Sequence, residues 1–89
     1  MSAVKIYTTP TCPYCKAAKA LLSNKGAQFT EIDVEADPVL RLAVKELTGR
    51  RTVPQIFIGD LHVGGFDDLQ QLATTGSLDA LLHVPAQHA

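Results

Sequence analysis

Apolar positions along the chain change period several times, and each change marks an element. Val4-Lys5-Ile6-Tyr7 alternates and is rich in β-formers, which predicts a first strand. From Pro13 to Lys25 the period lengthens. Tyr14, Ala17, Ala18, Leu21 and Leu22 fall at i, i+3, i+4, i+7 and i+8, the stripe of an amphipathic helix, and Gly26 follows where a helix end favours glycine. Gln28 to Val34 alternates again, with its apolar members expected on one face of a second strand. Asp37-Pro38 is a cap followed by proline at the first helical position, and Leu40, Ala43, Val44 and Leu47 supply a second stripe that Gly49 ends. Pro54 to Ile58 and Leu61 to Val63 flank Gly59-Asp60, a two-residue hairpin signal. Gly64-Gly65 then precedes a helix expected from about Phe66 to Ala73, with Asp67 and Asp68 at the positive end of its dipole. Gly76-Ser77 breaks that helix, and Leu78 to Leu82 makes a last short one.

The order is therefore β-α-β-α-β-β-α, closed by the short terminal helix. A strand–helix–strand opening implies a parallel pair joined by a right-handed crossover, and the hairpin adds antiparallel strands. The expected α/β architecture is a four-stranded mixed sheet flanked by helices. With 89 residues it forms a single domain, with a core over about 3–82 and a loose tail over 83–89.

Charge narrows the function classes. Eight Lys and Arg against nine Asp and Glu give a net charge of −1 without a basic stripe, which argues against nucleic-acid binding. No apolar run approaches the roughly 18 residues of a membrane span. The start, Met1 to Val4, has no charged segment leading into an apolar one, so the expectation is a cytoplasmic protein that is not exported. No extended apolar surface stripe demands a dimer, and a monomer is expected.

The two cysteines, Cys12 and Cys15, lie three positions apart. A structural disulfide gains by closing a long loop, and this pair closes almost none, so the choice lies between redox chemistry and metal binding. A structural zinc site needs about four Cys or His ligands, and the three histidines, His62, His83 and His88, are scattered singly, so no metal is expected. Cys12 falls where the loop after the first strand becomes the first helix. A thiol there faces unpaired N–H groups and the positive end of the dipole, and both favour the thiolate. Cys15 lies one turn further in and is expected to be more buried. Cys12 is accordingly the predicted nucleophile and Cys15 the resolving thiol. Lowering a thiol's pKa costs nucleophilicity with a Brønsted slope of about 0.4–0.5, so the lasting gain is in leaving-group ability.

Thr11-Cys12-Pro13-Tyr14-Cys15, Arg51-Thr52-Val53-Pro54 and Gly64-Gly65-Phe66-Asp67-Asp68, at these distances, resemble a dithiol glutaredoxin of the short bacterial kind, over about residues 3 to 82. The resemblance implies a thioredoxin-like fold and a glutathione-dependent thiol–disulfide oxidoreductase acting on glutathionylated proteins and protein disulfides. Glutathione serves as co-substrate. It also implies a cis bond before Pro54, with the Val53 N–H and C=O pairing the tripeptide backbone like an added strand. Thr52 lines the same groove, and Tyr14 packs along the tripeptide. Asp67 and Asp68, with Gly65 and Phe66 beside them in the site, hold the γ-glutamyl end: backbone N–H groups at the helix start take its carboxylate and the Asp68 side chain its ammonium, while Arg51 pairs with a glutathione carboxylate. Many relatives carry a lysine three residues before the first cysteine, where this chain has Thr9; Arg51, or Arg41 on the second helix, is the candidate to replace it. Two rival readings are a redoxin reduced by thioredoxin reductase and an iron–sulfur-binding glutaredoxin. Thioredoxins usually place tryptophan before the CxxC, and this chain has none; cluster-binding relatives typically have a single active-site cysteine or a small residue where Pro13 stands.

Overall fold

The computed structural model describes residues 3–83. Its elements run β1 (Val4–Thr8), α1 (Pro13–Asn24), β2 (Thr30–Asp33), α2 (Pro38–Thr48), β3 (Gln55–Ile58), β4 (Leu61–Gly64), α3 (Phe66–Thr75) and α4 (Ser77–Leu82). The sheet order is β2-β1-β3-β4. β1 pairs parallel with β2, Ile6 opposite Glu31, and antiparallel with β3, Ile6 opposite Ile56; β3 pairs antiparallel with β4. This is the mixed four-stranded sheet with flanking helices that the sequence predicts. A register shift between Ile56 and Phe57 puts a bulge into the hairpin, a feature no residue pattern signalled.

The main core gathers Val4, Ile6, Ile56 and Ile58 from the sheet with Ala18, Leu22, Leu69, Leu78 and Leu82 from α1, α3 and α4. α3 is its hub, packing on α1, α4 and β4. Two expected faces are corrected. In α1 the buried positions are Cys15, Ala18 and Leu22, so the stripe is rotated by one residue and Tyr14 is 62% exposed. In the segment before α2, Phe29 packs on the main cluster whereas Val34 is buried outside it. The period of two puts these residues on opposite sides, so they serve both faces of the sheet instead of one.

The α2 stripe also differs. Asp37 caps the helix, accepting the Leu40 N–H at 3.0 Å, and Pro38 occupies the first helical position as expected. Yet Val44 alone is buried; Leu40 is half-buried, while Ala43 and Leu47 are exposed. α2 touches the other elements sparsely, and a cavity of about 510 Å³ opens between it and residues 50–53. Leu40, Ala43 and Leu47 do not line that cavity; α2 meets the other elements so sparsely that its stripe has little surface to pack against. Of the tail expected over 83–89, His83 is the C-cap of α4, donating its N–H to the Asp79 carbonyl at 3.1 Å; the remainder lies outside the described residues.

Candidate active site

Cys12 is the N-cap of α1, extended at φ −88° and ψ 114°, with Pro13 at the first helical position. In place of the usual hydroxyl or carboxylate, its sulfur does the capping: Sγ accepts the Cys15 N–H at 3.3 Å. The same sulfur lies 3.6 Å from the Val53 carbonyl, which accepts its S–H. Cys12 is half-buried and reachable; Cys15 is buried, and both are free thiols.

Their chemistry separates accordingly. The Cys15 thiol is pushed up to about 11, first by burial and then by its hydrogen bond with Cys12. A thiol raised that far keeps its proton at neutral pH, so Cys15 is no nucleophile while Cys12 is free. Lys19, one turn on, pulls the other way. Two of the raising causes are contacts with Cys12 itself, hydrogen-bonded and electrostatic, and both change once Cys12 is tied into a mixed disulfide.

The bond between Val53 and Pro54 is cis. Tyr14, Thr52, Val53, Pro54, Gly65, Phe66, Asp67 and Asp68 line one groove of about 200 Å³. Tyr14, turned out of the core, stands 6.3 Å from Phe66 between ring centroids. The loop and α1 thus meet the start of α3 across the groove that the Cys12 sulfur borders through Val53.

Arg51 is placed differently. The arginine in this groove is Arg50, whose Nη1 donates to Asp68 Oδ2 at 2.9 Å, while Arg51 lines the larger cavity under α2 and its carbonyl accepts from Arg41 Nη2 at 3.4 Å. Two adjacent arginines give sequence reasoning no means to decide which turns inward. Asp68 Oδ2 also accepts the Gly65 N–H at 3.0 Å, closing the first turn of α3. Arg50 and, after it, the Gly65 N–H hold the Asp68 carboxyl below the usual aspartate range. Gly64, at φ +116°, gives this carboxylate room: a Cβ there would collide with it and crowd Arg50.

Gln55 is a second residue that the sequence did not single out. Fully buried, its Nε2 donates to the Thr52 carbonyl at 2.9 Å and reaches Thr52 Oγ1 at 3.3 Å, and its Oε1 lies 2.7 Å from His62 Nε2. It ties the groove loop to β4. Nothing in a Pro-Gln-Ile-Phe run announces a buried amide. Among the described residues no group of three or more His, Cys, Asp or Glu is placed to hold a metal ion, and no helix is long and apolar enough to cross a membrane.

A family model described as Glutaredoxin matches residues 4–63. A glutaredoxin of Pseudomonas aeruginosa is 54% identical over 92% of this chain and 98% of its own. Among solved structures, the solution structure of a glutaredoxin from Brucella melitensis is 56% identical, with a TM-score of 0.86 over 99% of this chain and 96% of that one. The crystal structure of a buckwheat glutaredoxin–glutathione complex is 30% identical, with a TM-score of 0.85 over 89% of this chain and 74% of that one. These likenesses extend to the thioredoxin-like sheet and its helices.

Proposed function

Because this chain belongs to the glutaredoxin family of oxidoreductases, we propose that it reduces glutathione mixed disulfides and protein disulfides at the expense of glutathione, with Cys12 as nucleophile. The observation that carries this reading is the Cys12 sulfur at the N-cap of α1, against the Val53 carbonyl at the edge of the groove that ends on Asp68. The relative whose structure is a glutathione complex supports the choice of co-substrate.

The Cys12 thiolate attacks the glutathionyl sulfur of a mixed disulfide. A bond forms between the two sulfurs, the substrate sulfur leaves with the electron pair of the old bond, and it takes a proton from solvent. A second glutathione thiolate then attacks the glutathionyl sulfur on Cys12, forming oxidised glutathione and returning the Cys12 thiolate. For a protein disulfide, Cys15 loses its proton and attacks Cys12 in the mixed disulfide, giving Cys12–Cys15 and releasing the second substrate thiol. Two glutathiones then reduce that bond.

In the groove, the tripeptide lies along Val53 as a short added strand, beside Thr52 and Tyr14. Backbone N–H groups at the start of α3 take the γ-glutamyl carboxylate. Asp68 takes the ammonium; its bonds to Arg50 and Gly65 both use Oδ2, which leaves Oδ1 to accept. The molecule works as a cytoplasmic monomer and needs no metal.

A coupled assay on a small glutathione mixed disulfide tests the reading. Turnover is expected to rise with glutathione and to ignore added thioredoxin reductase. Turnover supported by the reductase, with glutathione silent, overturns it.

A further inference from the structure

Two grooves meet at Arg50, Thr52 and Val53: the one that borders Cys12, and the cavity of about 510 Å³ beneath α2. Pockets of roughly 300–1,000 Å³ take ligands of appreciable size. Arg41, Lys45, Arg50 and Arg51 all line this second cavity, half of the eight basic side chains in a chain of net charge −1. Among the described residues no acidic one lines it. Three ion pairs form among the described residues, Lys19–Glu31, Lys25–Asp79 and Arg50–Asp68, and none engages Arg41, Lys45 or Arg51. Cations that share one cavity without counter-charges repel each other, and an anionic partner relieves that repulsion.

The cavity is not purely ionic. Leu42, 55% exposed, stands on its rim, and Val53 contributes apolar surface beside the loop. Glutathione alone does not account for the charge. The tripeptide carries two carboxylates; the start of α3 takes one and Arg51 or Arg41 the other, which leaves Lys45 and an arginine without an anion.

We propose that this cavity docks an acidic segment of the protein substrate, adjacent to the cysteine whose disulfide Cys12 attacks. Carboxylate side chains of that segment pair with Lys45 and the free arginine, and one apolar side chain covers Leu42 and Val53. The proposal deepens the glutathione-dependent reading by naming the class of protein it favours. Docking itself requires no redox step.

The test uses the whole protein and two fluorescent peptides without cysteine, one built of Glu and Leu, the other with Lys for every Glu. Anisotropy titrations are run at low and physiological ionic strength. At low salt the acidic peptide is expected to bind at least about tenfold more tightly, and the preference to shrink with salt. In the double variant Leu42→Glu, Lys45→Glu the preference is expected to vanish or invert; glutamate is a good helix former, so α2 keeps its structure. Turnover of a small glutathione mixed disulfide by that variant should stay within about twofold of wild type. Equal affinity for the two peptides, or an unchanged preference in the variant, overturns the proposal. So does a raised glutathione KM with no change in peptide preference, which assigns the cavity to the tripeptide. Absence of glutathione turnover in the wild type sinks the enzymatic reading instead and leaves the peptide result to stand or fall alone.

Discussion

Cys12 and Cys15 share one helical turn and differ in chemistry because of what surrounds each sulfur. Cys12 Sγ meets a backbone N–H at the helix start and opens toward the groove; Cys15 is 1% exposed and pushed up to about 11 by burial and by its neighbour. That difference was legible in the sequence, because a CxxC after a strand puts its first cysteine at a helix N-terminus. The choice between Arg50 and Arg51 was not legible. Backbone direction after Gly49 decides it, and it brings Arg50 onto Asp68. Arg50→Ala is therefore expected to raise the glutathione KM several-fold, with kcat little changed, by freeing Asp68 from its fixed position. Arg51→Ala should raise it less. Steady-state glutathione titrations of both variants check the order, and the opposite order returns the groove to Arg51. An exposed ion pair contributes at most about 1 kcal/mol to stability, so both variants should fold as wild type does.

At the scale of elements, each end of the groove is fixed by a cap. α1 is capped by the Cys12 sulfur, and α3 begins with the Gly65 N–H donating to Asp68. The turn into α3 works only because Gly64 holds φ at +116° beside that carboxylate. Gly64→Ala is expected to lower stability by about 1–3 kcal/mol through backbone strain. The same change should raise the glutathione KM, because the methyl group displaces Asp68. Urea unfolding read together with KM checks both, and a variant of wild-type stability and KM contradicts this account of the turn. Gly64-Gly65 was legible as punctuation; which of the two needed its left-handed backbone was not, since that depends on where Asp68 returns. The α2 stripe was the least faithful element. Its periodicity was genuine, yet a helix buries only what another element covers, and α2 touches the others sparsely. The α1 stripe slipped by one residue because Tyr14, the largest apolar side chain in it, is turned out toward Phe66 and the groove.

Across the whole molecule, sheet order and strand direction followed from the strand–helix–strand opening and the Gly59-Asp60 hairpin, while the bulge and the sparse seating of α2 needed tertiary contacts. Two carboxylates tie distant elements together. Glu31 on β2 accepts from Lys19 on α1 at 2.9 Å and from Thr8 on β1 at 2.8 Å, and Asp68 on α3 binds Arg50 in the loop before β3. Lys19 first, then Thr8, holds Glu31 below its usual range, as Arg50 and Gly65 hold Asp68. A carboxyl with a lower pKa folded than unfolded contributes stability above the unfolded value, and loses it as pH falls through the folded one. The share of stability that these two carboxyls supply is thus expected to be constant near neutrality and to decline below about pH 4. In the double variant Glu31→Gln, Asp68→Asn that decline should be shallower. Urea midpoints across this range check it, and parallel curves for the two proteins contradict the assignment.

The central claim is that the sulfur of Cys12, and not that of Cys15, makes and breaks the bond to glutathione. Incubating Cys15→Ser and Cys12→Ser with oxidised glutathione, then mapping the adduct by peptide mass spectrometry, tests it most directly. A single glutathionyl group on Cys12 of the first variant, released by added glutathione, with Cys15 of the second left unmodified, is the predicted result. Rapid modification of Cys15 when Cys12 is serine, with Cys12 inert when Cys15 is serine, would contradict it.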